Sequence, residues 1–245
     1  MAGGVSFVWG RSVLPDTLDT GPVHRIGMDL RPAYVFPTHG FFCGNNAKGK
    51  SVNTQLAAHL RYSFQFSPAS RLRQLYPYAY QGVGVAYNTF PQTSEMGNPV
   101  AVYVFQGSRI ARFSSRLSLD YEWNFGASFG WKKYNRETNP YNDVVGSAIN
   151  AYISAGFFLN WQLSPKWNLT AGIDFVHYSN GNTNYPNSGV NTVGARIGLS
   201  HTLGQEAGRQ HVSEHWEKLS GRQRFCYDFV VYGSTRKSCL LYTSP

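Results

Sequence analysis

Apolar and polar residues alternate along this chain in runs as long as a β-strand or longer. From 54 to 66, Leu56, Ala58, Leu60, Tyr62, Phe64 and Phe66 face one way, and Gln55, His59, Arg61, Ser63 and Gln65 face the other. Over 115–132, Leu117, Leu119, Tyr121, Trp123, Phe125, Ala127, Phe129 and Trp131 oppose Arg116, Ser118, Asp120, Glu122, Asn124, Ser128 and Lys132. Over 147–163, Ile149, Ala151, Ile153, Ala155, Phe157, Leu159, Trp161 and Leu163 oppose Asn150, Ser154, Asn160 and Gln162. A fourth run sets Trp167, Leu169, Ala171, Ile173 and Phe175 against Asn168, Thr170, Gly172 and Asp174. Side chains two apart on a strand share a face, so this period predicts strands. Soluble strands average about 5–6 residues, whereas a tilted membrane-crossing strand needs about 9–11. The long runs at 115–132 and 147–163 therefore favour a bilayer.

Weaker alternation predicts strands at 23–36, 79–88, 99–107, 191–203 and 224–237, with 5–13 as a further candidate. Long polar loops fall at 37–53, 89–99, 133–146 and 181–190, and shorter turns at 67–78, 108–114 and 164–166. Long loops on one side and short turns on the other are the layout of an outer-membrane barrel. The segment 204–223 is long on the short side and does not fit that layout. The expectation is an all-β, antiparallel transmembrane β-barrel of about 8–10 strands, incomplete at the C-terminus because single-chain bacterial barrels have even strand numbers. Trp131, Trp161 and Trp167 lie near strand ends, where aromatic girdles sit.

Composition sharpens this picture. Aromatics make up 16% of the chain and charged residues only 14%, about half the share usual in a soluble domain. No stretch approaches the ~18 apolar residues of a membrane helix. A soluble β-sandwich or lipocalin-like binder would need the Trp/Phe faces to point inward. The net charge of +9 suits anionic lipid head groups. Nucleic acid is excluded as a partner, because the basic residues are scattered and form no recognition helix. Arg71, Arg73, Arg109 and Arg112 belong to the short-turn side, facing solvent or periplasmic head groups. Cys43, Cys226 and Cys239 form neither a metal motif nor a disulfide framework.

Met1-Ala2-Gly3-Gly4-Val5 lacks the basic start and apolar core of a secretory signal, so a leader is expected upstream. Cys239-Leu240-Leu241-Tyr242-Thr243-Ser244 reads as a translated sequencing adapter. The expected organisation is thus an N-terminal segment 1–22, a barrel 23–237 and a non-native tail 238–245.

The candidate chemistry lies where the strand ending at Ser179 meets a Gly/Asn/Pro-rich loop. His177 and Ser179 continue the apolar face, with Cβ atoms about 7 Å apart, close enough for the imidazole to reach the hydroxyl. A serine is a weak nucleophile until a base takes its proton. The Asn180 side chain and the Gly181 backbone N–H are candidate oxyanion donors. Asn191 shares the outward stripe of the next strand with Val193, Ala195, Ile197 and Leu199, so hairpin pairing can set it beside His177. Other motifs carry less. His211-x-x-Glu214-His215 has the wrong order for a zinc protease. Asp120 and Glu122, a conceivable glycosidase pair, are expected to pair with arginines such as Arg112 or Arg116 in the lumen. No cofactor or metal is expected.

His177-Tyr178-Ser179-Asn180, followed by Pro186-Asn187-x-Gly189, resembles the signature of the outer-membrane lipid A 3-O-deacylases and the broader acyloxyacyl hydrolase-like group. The run Asn139-Pro140-Tyr141-Asn142 through Gly146-Ser147-x-Ile149-Asn150-Ala151-Tyr152 is similar to the acyloxyacyl hydrolase-like branch. The resemblance is clear over about 115–203 and weaker back to about 23. It implies a bacterial outer-membrane serine esterase, with its site on the lipid-facing wall and lipid A of lipopolysaccharide as substrate. Ser179 would be the nucleophile, His177 the base, Asn180 part of the oxyanion hole and Asn187 a loop support. The family's third triad member is a glutamate, and the matching position here is Asn191. An Asp→Asn change in another serine triad costs roughly 10⁴ in kcat. Asp143 and Glu137 are conceivable sources of a carboxylate, and Asp174 points to the wrong face. A non-catalytic porin-like or structural barrel is the alternative function, and a homodimer is left open.

Overall fold

The computed structural model describes residues 21–204 apart from residue 69. Eight strands follow in order: β1 (Val23–Val35), β2 (Thr54–Gln65), β3 (Tyr80–Thr89), β4 (Gly97–Arg112), β5 (Leu117–Trp131), β6 (Ile149–Gln162), β7 (Trp167–Ser179) and β8 (Val190–Leu203). Each pairs antiparallel with its sequence neighbour, and β8 returns to β1, closing the barrel. Closure removes the free edges that an open sheet cannot satisfy in lipid. It is reached with eight strands, the lower end of the range expected from the sequence, and needs no strand after Leu203. The candidate strands 5–13 and 224–237, the segment 204–223 beyond Gly204, the His211–His215 run, Cys226, Cys239 and the tail 238–245 lie outside the described residues.

The strands run 10 to 16 residues, and their faces separate as the alternation predicts. Leu60, Val85, Phe125, Phe157, Ile173 and Ile197 are among the large apolar side chains exposed on the outer wall. A continuous exposed band of this kind is a lipid-facing surface. The Trp and Phe residues of the long alternating runs, such as Trp123, Phe125, Phe157 and Trp161, thus point outward, opposite to what a soluble lipocalin-like binder requires.

The lumen is crossed by ion pairs. Arg31, Arg61 and Arg196 interleave with Asp29, Glu122 and Asp174 across β1, β2, β5, β7 and β8. Arg31 lies 2.8 Å from Asp29 and 3.4 Å from Asp174. Arg61 lies 3.2 Å from Asp29 and in contact with Glu122. Arg196 lies 3.0 Å from Glu122 and 3.3 Å from Asp29. Three cations and three anions balance, as buried charges must. The partners of Glu122 are therefore Arg61 and Arg196 rather than Arg112 or Arg116, which lie near or in the turn at 113–116 at the barrel's end. Asp120 is held by Ser118 (2.8 Å) and Asn160 (3.1 Å), and its arginine is Arg109, 3.9 Å away, rather than Arg112 or Arg116. A cavity of ≈ 10 Å³, room for about one water, remains between Arg31, Asp174, Tyr152 and Tyr178.

Trp131 departs from the girdle expected of it. It is 3% exposed, whereas Trp161 and Trp167 are 52% and 42% exposed at the opposite end. Gly130 sits at φ +87°, in the left-handed region that favours glycine, and the β4–β5 register shifts between Gly97 and Val100. The alternation inverts there, so Phe129 faces lipid while Trp131 turns inward. There it packs on Phe90 and Tyr178, and its indole N–H donates to Ser128 Oγ at 2.8 Å.

The loops above Trp131 are less polar in structure than in sequence. A 3-10 turn (Gly40–Cys43) and the short helix α2 (Thr93–Met96) bring Phe41, Phe42, Val52, Met96, Val144 and Val145 into a buried cluster. At the other end, the connection 66–79 carries a one-turn helix, α1 (Arg71–Leu75), while 113–116 and 163–166 are tight turns.

Candidate active site

Strand β7 delivers His177 and Ser179 to the outer wall by fixing the residue between them. Tyr178 points inward and is buried. Its hydroxyl donates to Asn88 Oδ1 at 2.9 Å and accepts from Gln55 Nε2 at 3.2 Å. Its ring packs on Trp131 and Tyr152, with centroids 5.1 and 5.4 Å away. With Tyr178 pinned in this way, strand parity leaves its neighbours no choice but the lipid side. The β6–β7 ladder sets Ala151 opposite Ser179 and Ile153 opposite His177.

The β7–β8 hairpin pairs His177 directly with Asn191, and His177 Nδ1 lies 2.7 Å from Asn191 Oδ1. Oδ1 can only accept, so this contact assigns the proton to Nδ1 and leaves Nε2 with a lone pair. No hydrogen bond joins the His177 ring to the Ser179 hydroxyl in this structure; such bonds are often loose in substrate-free enzymes. The two side chains nevertheless converge on one spot. Gly189 has φ +72°, and a Cβ placed on it would lie 3.2 Å from His177 Cε1 and 3.8 Å from Ser179 Cβ.

Loop 180–189 is tied by its asparagines. The Asn180 backbone N–H donates to Asn187 Oδ1 at 3.1 Å, and Asn187 Nδ2 donates to Asn182 Oδ1 at 3.1 Å. Asn187 thus ties the two ends of the loop together. The Asn180 side chain is turned under the loop, where Nδ2 donates to the Asn184 carbonyl at 2.8 Å. Gly181 turns at φ +64°, with open space on its Cβ side. The preceding long loop braces this one through a Val145–Asn187 bridge. Any Cβ on Gly146 would run into the Pro186 carbonyl oxygen and lie 2.8 Å from the Tyr185 carbonyl carbon. Asn142 anchors that bracing loop by donating to the carbonyls of Glu95 and Lys132, both at 2.7 Å. The two stretches that carry the sequence resemblance are therefore one packed unit.

The sequence profile of the lipid A 3-O-deacylase (PagL) family matches residues 56–200. The chain belongs to this family. The PagL match runs from β2 to β8 and takes in both loop segments and the His177, Ser179 and Asn191 positions. The crystal structure of the outer membrane enzyme PagL superposes with a TM-score of 0.50 at 12% identity, covering 70% of this chain and 97% of that one. Neisserial surface protein A (NspA) superposes with a TM-score of 0.50 at 7% identity, covering 75% and 99%. At such identities these likenesses carry the fold alone. No curated protein sequence matches the chain. PagL membership and the barrel fold locate the protein in the bacterial outer membrane, and they lend no support to a homodimer.

In this PagL-family barrel none of the conceivable carboxylates serves His177. Asp143 lies 2.9 Å from His39 Nδ1, tying two extracellular loops. Asp174 faces the lumen beside Arg31. Glu137 is exposed, and its backbone N–H is held by Asn135 Oδ1 at 2.9 Å. Among the described residues no cluster of three His, Cys, Asp or Glu side chains is placed to hold a metal. Gly189, Gly146 and Tyr178 are contributors that the motif had quoted without a role; a glycine closing a loop against a strand end was the available signal for the first two.

Proposed function

We propose that the protein is a serine esterase that cleaves an ester-linked acyl chain from lipid A. His177 Nε2 takes the proton of Ser179 Oγ as Oγ attacks the ester carbonyl. The developing oxyanion is met by the Gly181 backbone N–H, since the Asn180 N–H is held by Asn187 and its side-chain amide is turned to the Asn184 carbonyl. The sugar hydroxyl leaves with the proton held on His177, and the acyl group stays on Ser179. Water, deprotonated by the same nitrogen, then releases the fatty acid and restores the serine. Asn191 holds the imidazole in the required tautomer but adds no negative charge against the imidazolium.

The observation that carries this reading is the 2.7 Å contact between His177 Nδ1 and Asn191, on the outer face that Ser179 shares. It orients a base toward hydrocarbon tails rather than toward a lumen. Ser179→Ala and His177→Ala should each abolish deacylation, read by mass spectrometry of lipid A from cells that express the protein. Wild-type lipid A profiles in both variants would sink the proposal. The neutral Asn191 favours a second reading, a family member that has become a passive barrel. Absence of deacylation in the wild type and in Asn191→Glu alike would support it.

A further inference from the structure

We propose that the short-turn end of the barrel is a binding surface for anionic phospholipid head groups of the periplasmic leaflet. This inference is independent of the esterase reading. The tight turns 113–116 and 163–166 mark this end as periplasmic. Arg71, Arg73, Arg109, Arg112, Arg116 and Lys166 lie there, and in the segments 66–79, 107–120 and 160–169 the one carboxylate is Asp120, 3.9 Å from Arg109. The extracellular loops mix signs, with Glu95, Glu137 and Asp143 among their lysines and arginine. Among the described residues, then, cations predominate more strongly at the short-turn end than in the long loops.

Arg71, Arg112, Arg116 and Lys166 are exposed, and exposed Leu72, Leu75, Tyr76, Phe113 and Leu163 stand among them. Apolar side chains interleaved with cations suit the boundary between acyl tails and phosphates. Contacts between the three connections make the rim continuous. The Arg109 guanidinium lies 4.5 Å from the Tyr78 ring centroid, joining the α1 connection to β4. The Gln162 N–H donates to the Arg116 carbonyl and the Thr202 N–H to the Lys166 carbonyl, both at 2.8 Å. These bonds fix the backbone of two cationic turns against neighbouring strands.

The test is competitive retention by native mass spectrometry of the full chain in detergent, with equal phosphatidylglycerol and phosphatidylethanolamine. The wild type should prefer phosphatidylglycerol, by roughly fivefold per cation engaged, and should lose the preference at high salt. Joint Arg71→Gln, Arg112→Gln, Arg116→Gln and Lys166→Gln substitution should bring the ratio near one. Lys132→Gln, Lys133→Gln and Arg136→Gln, at the opposite end, should leave it unchanged. Equal retention of both lipids by the wild type, or a preference that follows the loop cations, overturns the proposal. Should the quadruple variant not fold, the wild-type lipid and salt comparisons decide alone.

Discussion

At the scale of single residues, the proposed mechanism turns on the Asn191 amide that His177 meets at 2.7 Å. The amide orients the ring as a carboxylate would, without the charge that stabilises imidazolium. Asn in place of the acid costs roughly 10⁴ in kcat in another serine triad. Asn191→Glu should therefore recover part of that factor, at least about tenfold in kcat, in deacylation assays on purified lipid A. Asn191→Ala should lower the rate below wild type by freeing the ring. Gly189→Ala should slow turnover with little loss of barrel stability, because the methyl would press on His177 Cε1 at a left-handed φ; rate and thermal midpoint measured on one preparation separate the two. The outward pairing of His177, Ser179 and Asn191 was legible in the sequence because strand parity alone fixes it. The Asn180 side chain was not, because a loop asparagine chooses between solvent and a nearby carbonyl according to backbone detail that no periodicity records.

At the scale of elements, the site depends on two loops braced against each other. Gly146→Val should push the 132–148 connection away from Pro186 and abolish deacylation, while gels of heated and unheated samples should still report a closed barrel. Strand positions were readable wherever alternation ran unbroken, as in β2, β6 and β7. They blurred at irregularities. β4 continues past residue 107 to Arg112, and a register shift between Arg109 and Ala111 scrambles the alternation there. The inversion at Gly130 likewise hid the destination of Trp131, since a left-handed glycine reverses the parity of everything after it. The apolar cap formed by the long loops was unreadable for a different reason: Phe41, Met96 and Val144 sit apart in sequence with no period, and only closure of the barrel gathers them.

At the scale of the whole molecule, the lumen is held by charge. Glu122→Gln should destabilise the barrel by about 3–5 kcal/mol, because it leaves Arg61 and Arg196 facing a neutral amide in a buried place. Urea midpoints of the refolded protein in lipid vesicles check this. The polar face of β5 was plain in the sequence, but its partners were not, since β2 and β8 reach Glu122 only across the closed bore.

That interlocked core has an electrical consequence. Guanidinium and carboxylate groups paired across the bore stand in the path of a mobile ion, which would have to break several pairs to pass. A planar bilayer containing the protein should therefore stay near its baseline current under applied voltage, with traffic confined to the wall.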